Sequence, residues 1–425
     1  MWVTGRRRRE SAELAAEDRE PLRATIADLV APASMTVNHV LTGPAGERLL
    51  AARLALFYGA YFAAVGIYLP FWPLWLEWRG LDAVQIGYVL AAGFWPRIVT
   101  SFLIPAIADR VGERRRPIIL LGAVTLAGVA LFALARDFWP LLWLSLLTGA
   151  TWAAILPLGE ALALGEAQRA DLSYGRIRLW GSIAFILAAI GVGQWLENSG
   201  PAIVLWALAA ALAAILGASV LLPEGRSRAR LATFADFRRL AGTPQFLTFV
   251  AAAGMLQVSH AVYYGFATLH WRAAGHGELV IGLLWAGGVV AEVVLFACAG
   301  ALLRRLGPIG LLILAGALTV ARWALSALST DLAVLVPAQA LHAASFGAVH
   351  LAAMHYLRDR TPPELHASAQ GFYAAIGTAL PFGLLTPLAG WLYGLAGGDA
   401  FWAMAALALA GTMLALKVQS TMLKA

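Results

Sequence analysis

Long uninterrupted apolar runs, each closed by a short polar turn, make up nearly the whole of this 425-residue chain. Twelve fall at about 50–76, 82–108, 117–135, 138–165, 175–196, 201–222, 245–272, 279–303, 308–328, 331–358, 365–393 and 398–420. Each is close to the roughly 20 residues needed to cross the hydrocarbon of a bilayer. Strands do not fit, because a transmembrane barrel alternates polar and apolar residues in segments of about 10. The pattern therefore predicts an all-α membrane protein with twelve transmembrane helices. Its longest internal polar stretch, Pro223 to Thr243, separates six runs from six. That sets expected boundaries at 49–222 for an N-terminal six-helix bundle, 223–244 for a cytoplasmic linker and 245–425 for a C-terminal six-helix bundle. Within the linker, Ala232 to Leu240 fits a short helix at the headgroups with Phe234 and Phe237 on its apolar side, and a solvated linker fits equally.

Composition agrees: 60% of residues are hydrophobic and 13% charged, against about 25% charged in soluble domains. Net charge is +7, yet the basic residues lie in the turns between runs, so they speak for membrane topology and not for nucleic acid. One set of turns, with the C-terminal tail, carries 18 Arg and Lys; the opposite set has only Arg79, Arg136 and Arg272. Basic residues accumulate on the cytoplasmic side, which puts both termini in the cytoplasm and the protein in a bacterial inner (plasma) membrane. Residues 1–48 are expected to be a disordered cytoplasmic tail, and Met35 is a second candidate start that would leave 1–34 untranslated. The single cysteine, Cys298, excludes a disulfide framework.

Polar groups inside the runs carry the candidate chemistry. Glu292 is the one charge between Ile281 and Leu302. An acid at that depth costs about 2.5–3.5 kcal/mol on the insertion scale, so it needs a use. Arg322 in the ninth run is its expected direct partner, because a guanidinium and a carboxylate pair well in a desolvated place. His342 and His350 in the tenth run are suited to a proton relay; being eight residues apart, they lack the i, i+4 spacing of a helical zinc site. Gln257, His260, Tyr264 and Thr268 form one polar stripe in the seventh run, expected to line a cavity. Arg97, deep in the second run, is expected to hold an anionic substrate group or a carboxylate partner, and Tyr61 leads a tyrosine face on the first run. Glu160 suits cavity lining or an ion pair with Arg176 or Arg178. No nucleophile–base pair, metal frame or P-loop is present. The expectation is a protein that is not an enzyme, with no cofactor and no metal.

Several stretches resemble the major facilitator superfamily. Asp109, Arg110, Gly112 and Arg114 stand in a segment, ADRVGERR, similar to its motif between the second and third helices. The segment YGRIRLWGS, with Gly175, Arg176, Arg178, Trp180 and Gly181, is similar to the phenylpropionic acid permease family, a branch akin to the lactose and nucleoside proton symporters. Ser259 to Phe266, Gly288 to Glu292, Ala321 to Trp323, Leu341 to His342 and Val349 to Met354 continue that likeness, which runs from about residue 50 to the end. The resemblance implies a transporter driven by the proton gradient, with the twelve-helix major facilitator fold, gating roles for the two motifs, and proton-coupled uptake of a small organic acid, aromatic acids included. Proton-linked efflux of hydrophobic compounds and sugar or nucleoside proton symport stay open. The expected partners are a small-molecule substrate, protons and the lipid bilayer around a monomer. Protonation of Glu292 is expected to free Arg322 for a substrate carboxylate.

Overall fold

The computed structural model describes residues 43–100, 103, 112–224 and 234–424. The chain divides into two compact units, Met1–Arg53 and Leu54–Ala425; of the first, only residues 43–53 are described. Among the described residues every regular element is a helix and there is no strand.

Helix α1 (Pro44–Trp78) opens the described chain, so residues 44–48 are helical where a tail was expected. Arg79 follows it. This arginine, at the arginine-poor end, donates to the carbonyls of Phe132 and Ala133, at 3.2 Å each, and of Ala135. Its guanidinium also lies 5.0 Å from the Trp75 ring. Carbonyls at a helix end have no partner inside the helix and carry partial negative charge, so Arg79 tethers the end of α3 (Arg115–Leu131) to the end of α1. Helix α2 (Ala83–Ala92) starts on a capping box: the Asp82 carboxylate accepts from Gln85 N at 2.9 Å, and the Gln85 side chain accepts from Asp82 N at 3.2 Å. The second run was expected to continue unbroken, but it turns at Gly93–Pro96. Pro96 has no N–H to give and its ring collides with the carbonyl four residues back.

Helices α4 (Phe138–Arg169), α5 (Tyr174–Ser199) and α6 (Ile203–Leu221) complete the part before the linker. In the linker stands α7 (Phe234–Ala241). Its Phe237 was expected at the headgroups; instead the ring packs 5.8 Å from Phe372 while Asp236 accepts from Ser368 at 3.3 Å. The short helix therefore rests on protein.

After the linker come α8 (Pro244–Val258), α9 (Ala261–Ala273) and α10 (Glu278–Leu328). Gly307 breaks the 51 residues of α10 with φ 64°, a backbone region open to glycine, and Pro308 follows. Helix α11 (Leu332–Ala340) runs through His342 into a π-helical turn, Ala343–Ala348, and on to α12 (Val349–Arg360). Helix α13 (His366–Phe372), a second π-helical turn at Tyr373–Ala379, α14 (Leu380–Ala396) and α15 (Ala400–Lys424) end the chain. Among the described residues, eight continuous helical stretches are long and apolar enough to cross a membrane.

Two crossings join the parts before and after the linker at the arginine-poor end. A Cβ on Gly390 of α14 would lie 2.3 Å from the Ala83 carbonyl, and one on Gly282 of α10 would lie 2.4 Å from that of Ala189 in α5. Only glycine permits backbones that close. Beside them, Arg272 reaches Glu278 at 3.1 Å and Glu77 at 3.8 Å. Gly390→Leu should force α2 and α14 apart at a cost of about 1–3 kcal/mol. In a Cys298→Ser background carrying Leu81→Cys, the expected result is faster thiol labelling in membranes; unchanged labelling would show that the crossing does not seal that end.

Candidate functional site

The physical centre of the C-terminal part is Arg322, on the second leg of α10 and 0% exposed. A buried guanidinium needs an acceptor for each N–H it turns inward. Arg322 finds them in protein: Nε donates to the Ala338 carbonyl at 3.1 Å, Nη1 to His342 Nδ1 at 2.9 Å and to Ser345 Oγ at 2.8 Å, and Nη2 to Gln339 Oε1 at 3.3 Å. The rings of Tyr263 and Trp323 flank it at 4.3 and 4.4 Å. The chain leaves α-geometry right after His342. That π-helical turn sets where Ser345 stands relative to His342, and both reach the same guanidinium nitrogen. Such turns occur often at functional sites.

These contacts decide proton positions without a hydrogen being seen. Arginine cannot accept, so His342 Nδ1 must carry the lone pair, and the ring's proton sits on Nε2. Nε2 lies 2.8 Å from Glu292 Oε1, to which it donates. A backbone carbonyl can only accept, so His260 Nδ1 donates to Gln257 O at 3.0 Å and Nε2 accepts from Ser345 Oγ at 3.1 Å. The serine thus accepts a hydrogen bond from Arg322 and donates one to His260. The expected direct Glu292–Arg322 pair is replaced by a bridge through His342. The reason is geometric: neutral acceptors already surround the guanidinium.

Glu292 and His342 are the ionisable groups in the wall of a cavity of about 140 Å3. The remaining wall is largely aromatic: Phe62 of α1 and Phe185 of α5 on one side, Tyr264, Trp285 and Phe346 on the other, with Ser182 nearby. A smaller cavity of about 30 Å3, walled by Tyr68, Phe94 and Phe382, shares Leu69 and Tyr264 with it.

The other sequence candidates divide. Of the stripe in the seventh run, only Tyr264 lines these cavities. His260 is 0% exposed and sits behind it, with ring centres 5.4 Å apart; Gln257 is buried; Thr268 accepts from Trp285 Nε1 at 3.1 Å. The expected cavity wall is an internal seam there, because α8 stops at Val258 and α9 begins at Ala261, which turns His260 toward Ser345. His350 is exposed, its ring 6.4 Å from Phe346, within electrostatic reach of Glu292 but outside the hydrogen-bonded chain.

In the N-terminal part, Arg178 lies over Phe62 at 3.8 Å and 4.0 Å from Glu160. Tyr58 and Tyr174 share a hydrogen bond of 3.1 Å beside it. Gly181 makes room for this stack, since a Cβ there would come within 2.9 Å of the Arg178 guanidinium. Arg176, Gly175 and Trp180 are exposed, Trp180 by 56%, on the outside of α5. Gly112 takes φ 76° and Arg114 is buried; Asp109 and Arg110 fall outside the described residues. Arg97 lies within electrostatic reach of Tyr61 and Tyr68, and both tyrosines touch Trp152 edge-on, at 6.2 and 5.2 Å between ring centres. Sequence reasoning missed Ser345, Gln339 and Trp152. Ser345 follows His342 by three residues, a helical-turn spacing that could have flagged it.

A helical bundle that buries a charged, hydrogen-bonded chain beside a cavity shared by its two parts is the architecture of a membrane transporter. Residues 51–404 match the MFS_1 like family, and the chain belongs to that family. It is a transporter, not an enzyme. It is 36% identical over 375 residues, 86% of this chain and 97% of the relative, to the probable 3-phenylpropionic acid transporter of Escherichia coli (strain K12). Identity to the maltose permease of Geobacillus stearothermophilus is 28% over 345 residues, covering 79% and 86%. The crystal structure of the nucleoside transporter NupG is similar in fold, with TM-score 0.75 at 16% identity over 87% of this chain and 98% of that one.

The bonding of His342 gives a test. His342→Ala leaves an Arg322 N–H and a Glu292 oxygen without partners, at about 1–3 kcal/mol for each buried group. His342→Gln keeps a donor for Glu292 and an acceptor for Arg322. Thermal unfolding in detergent should show a clear loss for alanine and most of it regained with glutamine; equal losses would refute the assigned tautomer.

Proposed function

We propose that the protein is a proton-coupled secondary transporter that takes up a small aromatic carboxylate by alternating access. The observation that carries this reading is the cavity itself, with one acid in an aromatic wall. Its volume of about 140 Å3 is near the roughly 150 Å3 of an apolar cavity that binds benzene, so one ring fits. The relative named for 3-phenylpropionic acid supports the same substrate class. A maltose permease and a nucleoside transporter are also similar to the chain, but sugars and nucleosides want many hydrogen-bonding groups, and these walls offer few.

The twelve-helix count agrees with the helices described. Two of the eight long stretches, 278–328 and 363–423, each hold enough residues for two crossings and bend at Gly307 and Gly397. The second and third runs are represented by α2, of 10 residues, and α3, of 17. The charge bias between turns supports two six-helix bundles with cytoplasmic termini in a bacterial inner membrane. The end closed by glycine crossings is then the outer one, and the two bundles rock about the cavity.

Coupling runs through Glu292. Its Oε1 is held by His342, and a proton arriving at the carboxylate removes one negative charge from the cavity wall. Arg322 stays bound to its neutral acceptors, so it contributes field and not a released guanidinium. A neutral Glu292 no longer offsets that field or the nearby charge of Arg178, which favours entry of an anion. Efflux of hydrophobic compounds would make no use of that preference.

The test uses membrane vesicles with an imposed pH gradient and labelled 3-phenylpropionate. The wild type should accumulate it; Glu292→Gln should exchange it across the membrane without accumulation. Accumulation by the variant would place coupling elsewhere, and a wild type that concentrates maltose or a nucleoside instead would overturn the substrate class.

A further inference from the structure

Two arginines sit in the runs flanking the cavities at similar remove from the turns, and their surroundings differ. Arg322 donates to four protein acceptors. Arg97, among the described residues, meets only the face of Phe94, at 5.5 Å, with no carboxylate within ion-pair distance. Tyr61 and Tyr68 lie within its electrostatic reach. Trp152, whose ring touches both tyrosines, has a buried Nε1–H with no hydrogen-bond partner. A guanidinium and an indole N–H can only donate. An indole N–H without an acceptor, or a guanidinium without a carboxylate, is costly in an apolar bundle.

We propose that Arg97, Tyr61, Tyr68 and Trp152 form the subsite for the substrate's carboxylate, so that a monoanion binds with its head group in the N-terminal part and its ring in the larger cavity. Tyr68 walls the smaller cavity, which shares Leu69 and Tyr264 with the larger, so the two cavities adjoin. The proposal rests on the uptake of an aromatic carboxylate argued above, and adds which half of the protein recognises the charge. It also separates two jobs: the C-terminal part handles the proton, and the N-terminal part handles the anion.

The probes are 3-phenylpropionate and its neutral amide, with affinity measured on the purified full chain in detergent. The wild type should prefer the acid. Arg97→Gln should weaken the acid by roughly 10- to 100-fold, the loss of a charge-assisted hydrogen bond, and leave the amide little changed. Arg97→Lys should recover part of the difference, and Trp152→Phe should weaken the acid alone. Unchanged acid-over-amide preference in Arg97→Gln overturns the subsite while leaving the transport reading intact. A wild type that binds neither acid nor amide overturns that reading, and the subsite with it.

Discussion

A guanidinium can give hydrogen bonds and never take them, and the C-terminal part of this transporter is arranged around that one-way property. Because Arg322 is fully buried, every group it faces must present a lone pair. His342 is thereby fixed with its proton on the far nitrogen, Ser345 with its hydroxyl hydrogen turned to His260, and Gln339 with its oxygen inward. The direction of donation then passes outward to Glu292, the one acid at the cavity. The π-helical turn at Ala343–Ala348 belongs to the same constraint, since it sits between the two residues that share one arginine nitrogen.

The N-terminal part solves a different problem. Its Arg178 rests on an aromatic ring with an acid 4.0 Å away, and Arg97 faces the ring of Phe94. Arg322 has its donors met inside the protein, whereas the Trp152 indole keeps its N–H in hand. That contrast sets apart the two parts that meet at the shared cavity. The glycine crossings let those parts approach at one end until backbones touch.

Much of this could be read from the chain alone, for reasons that can be named. The apolar runs, the break at the linker and the cost of Glu292, Arg97 and Arg322 follow from the bilayer as solvent. The all-α membrane fold was legible for that reason, and the family from the resemblance of stretches such as YGRIRLWGS. The pairing inside the site was not. Opposite charges suggested a direct bond between Glu292 and Arg322, but which neutral groups intervene depends on side-chain placement, and no periodicity reports that. The stripe through His260 misled because it assumed one continuous helix, whereas the seventh run breaks between Val258 and Ala261. Trp152 was invisible for another reason: an indole among sixteen tryptophans gives no sign that its N–H is unpaired.

The bend at Gly307 works as the fold of a ruler. Glu292 lies fifteen residues before it and Arg322 fifteen after. At about 1.5 Å of rise per residue, each is about 22 Å along its leg from the same vertex. Equal arms bring the acid and the base to one level, where a single imidazole spans the gap. The level is therefore written as a count of residues and not as a property of any side chain. An insertion in one leg would slide the two charges past each other while leaving both chemically intact.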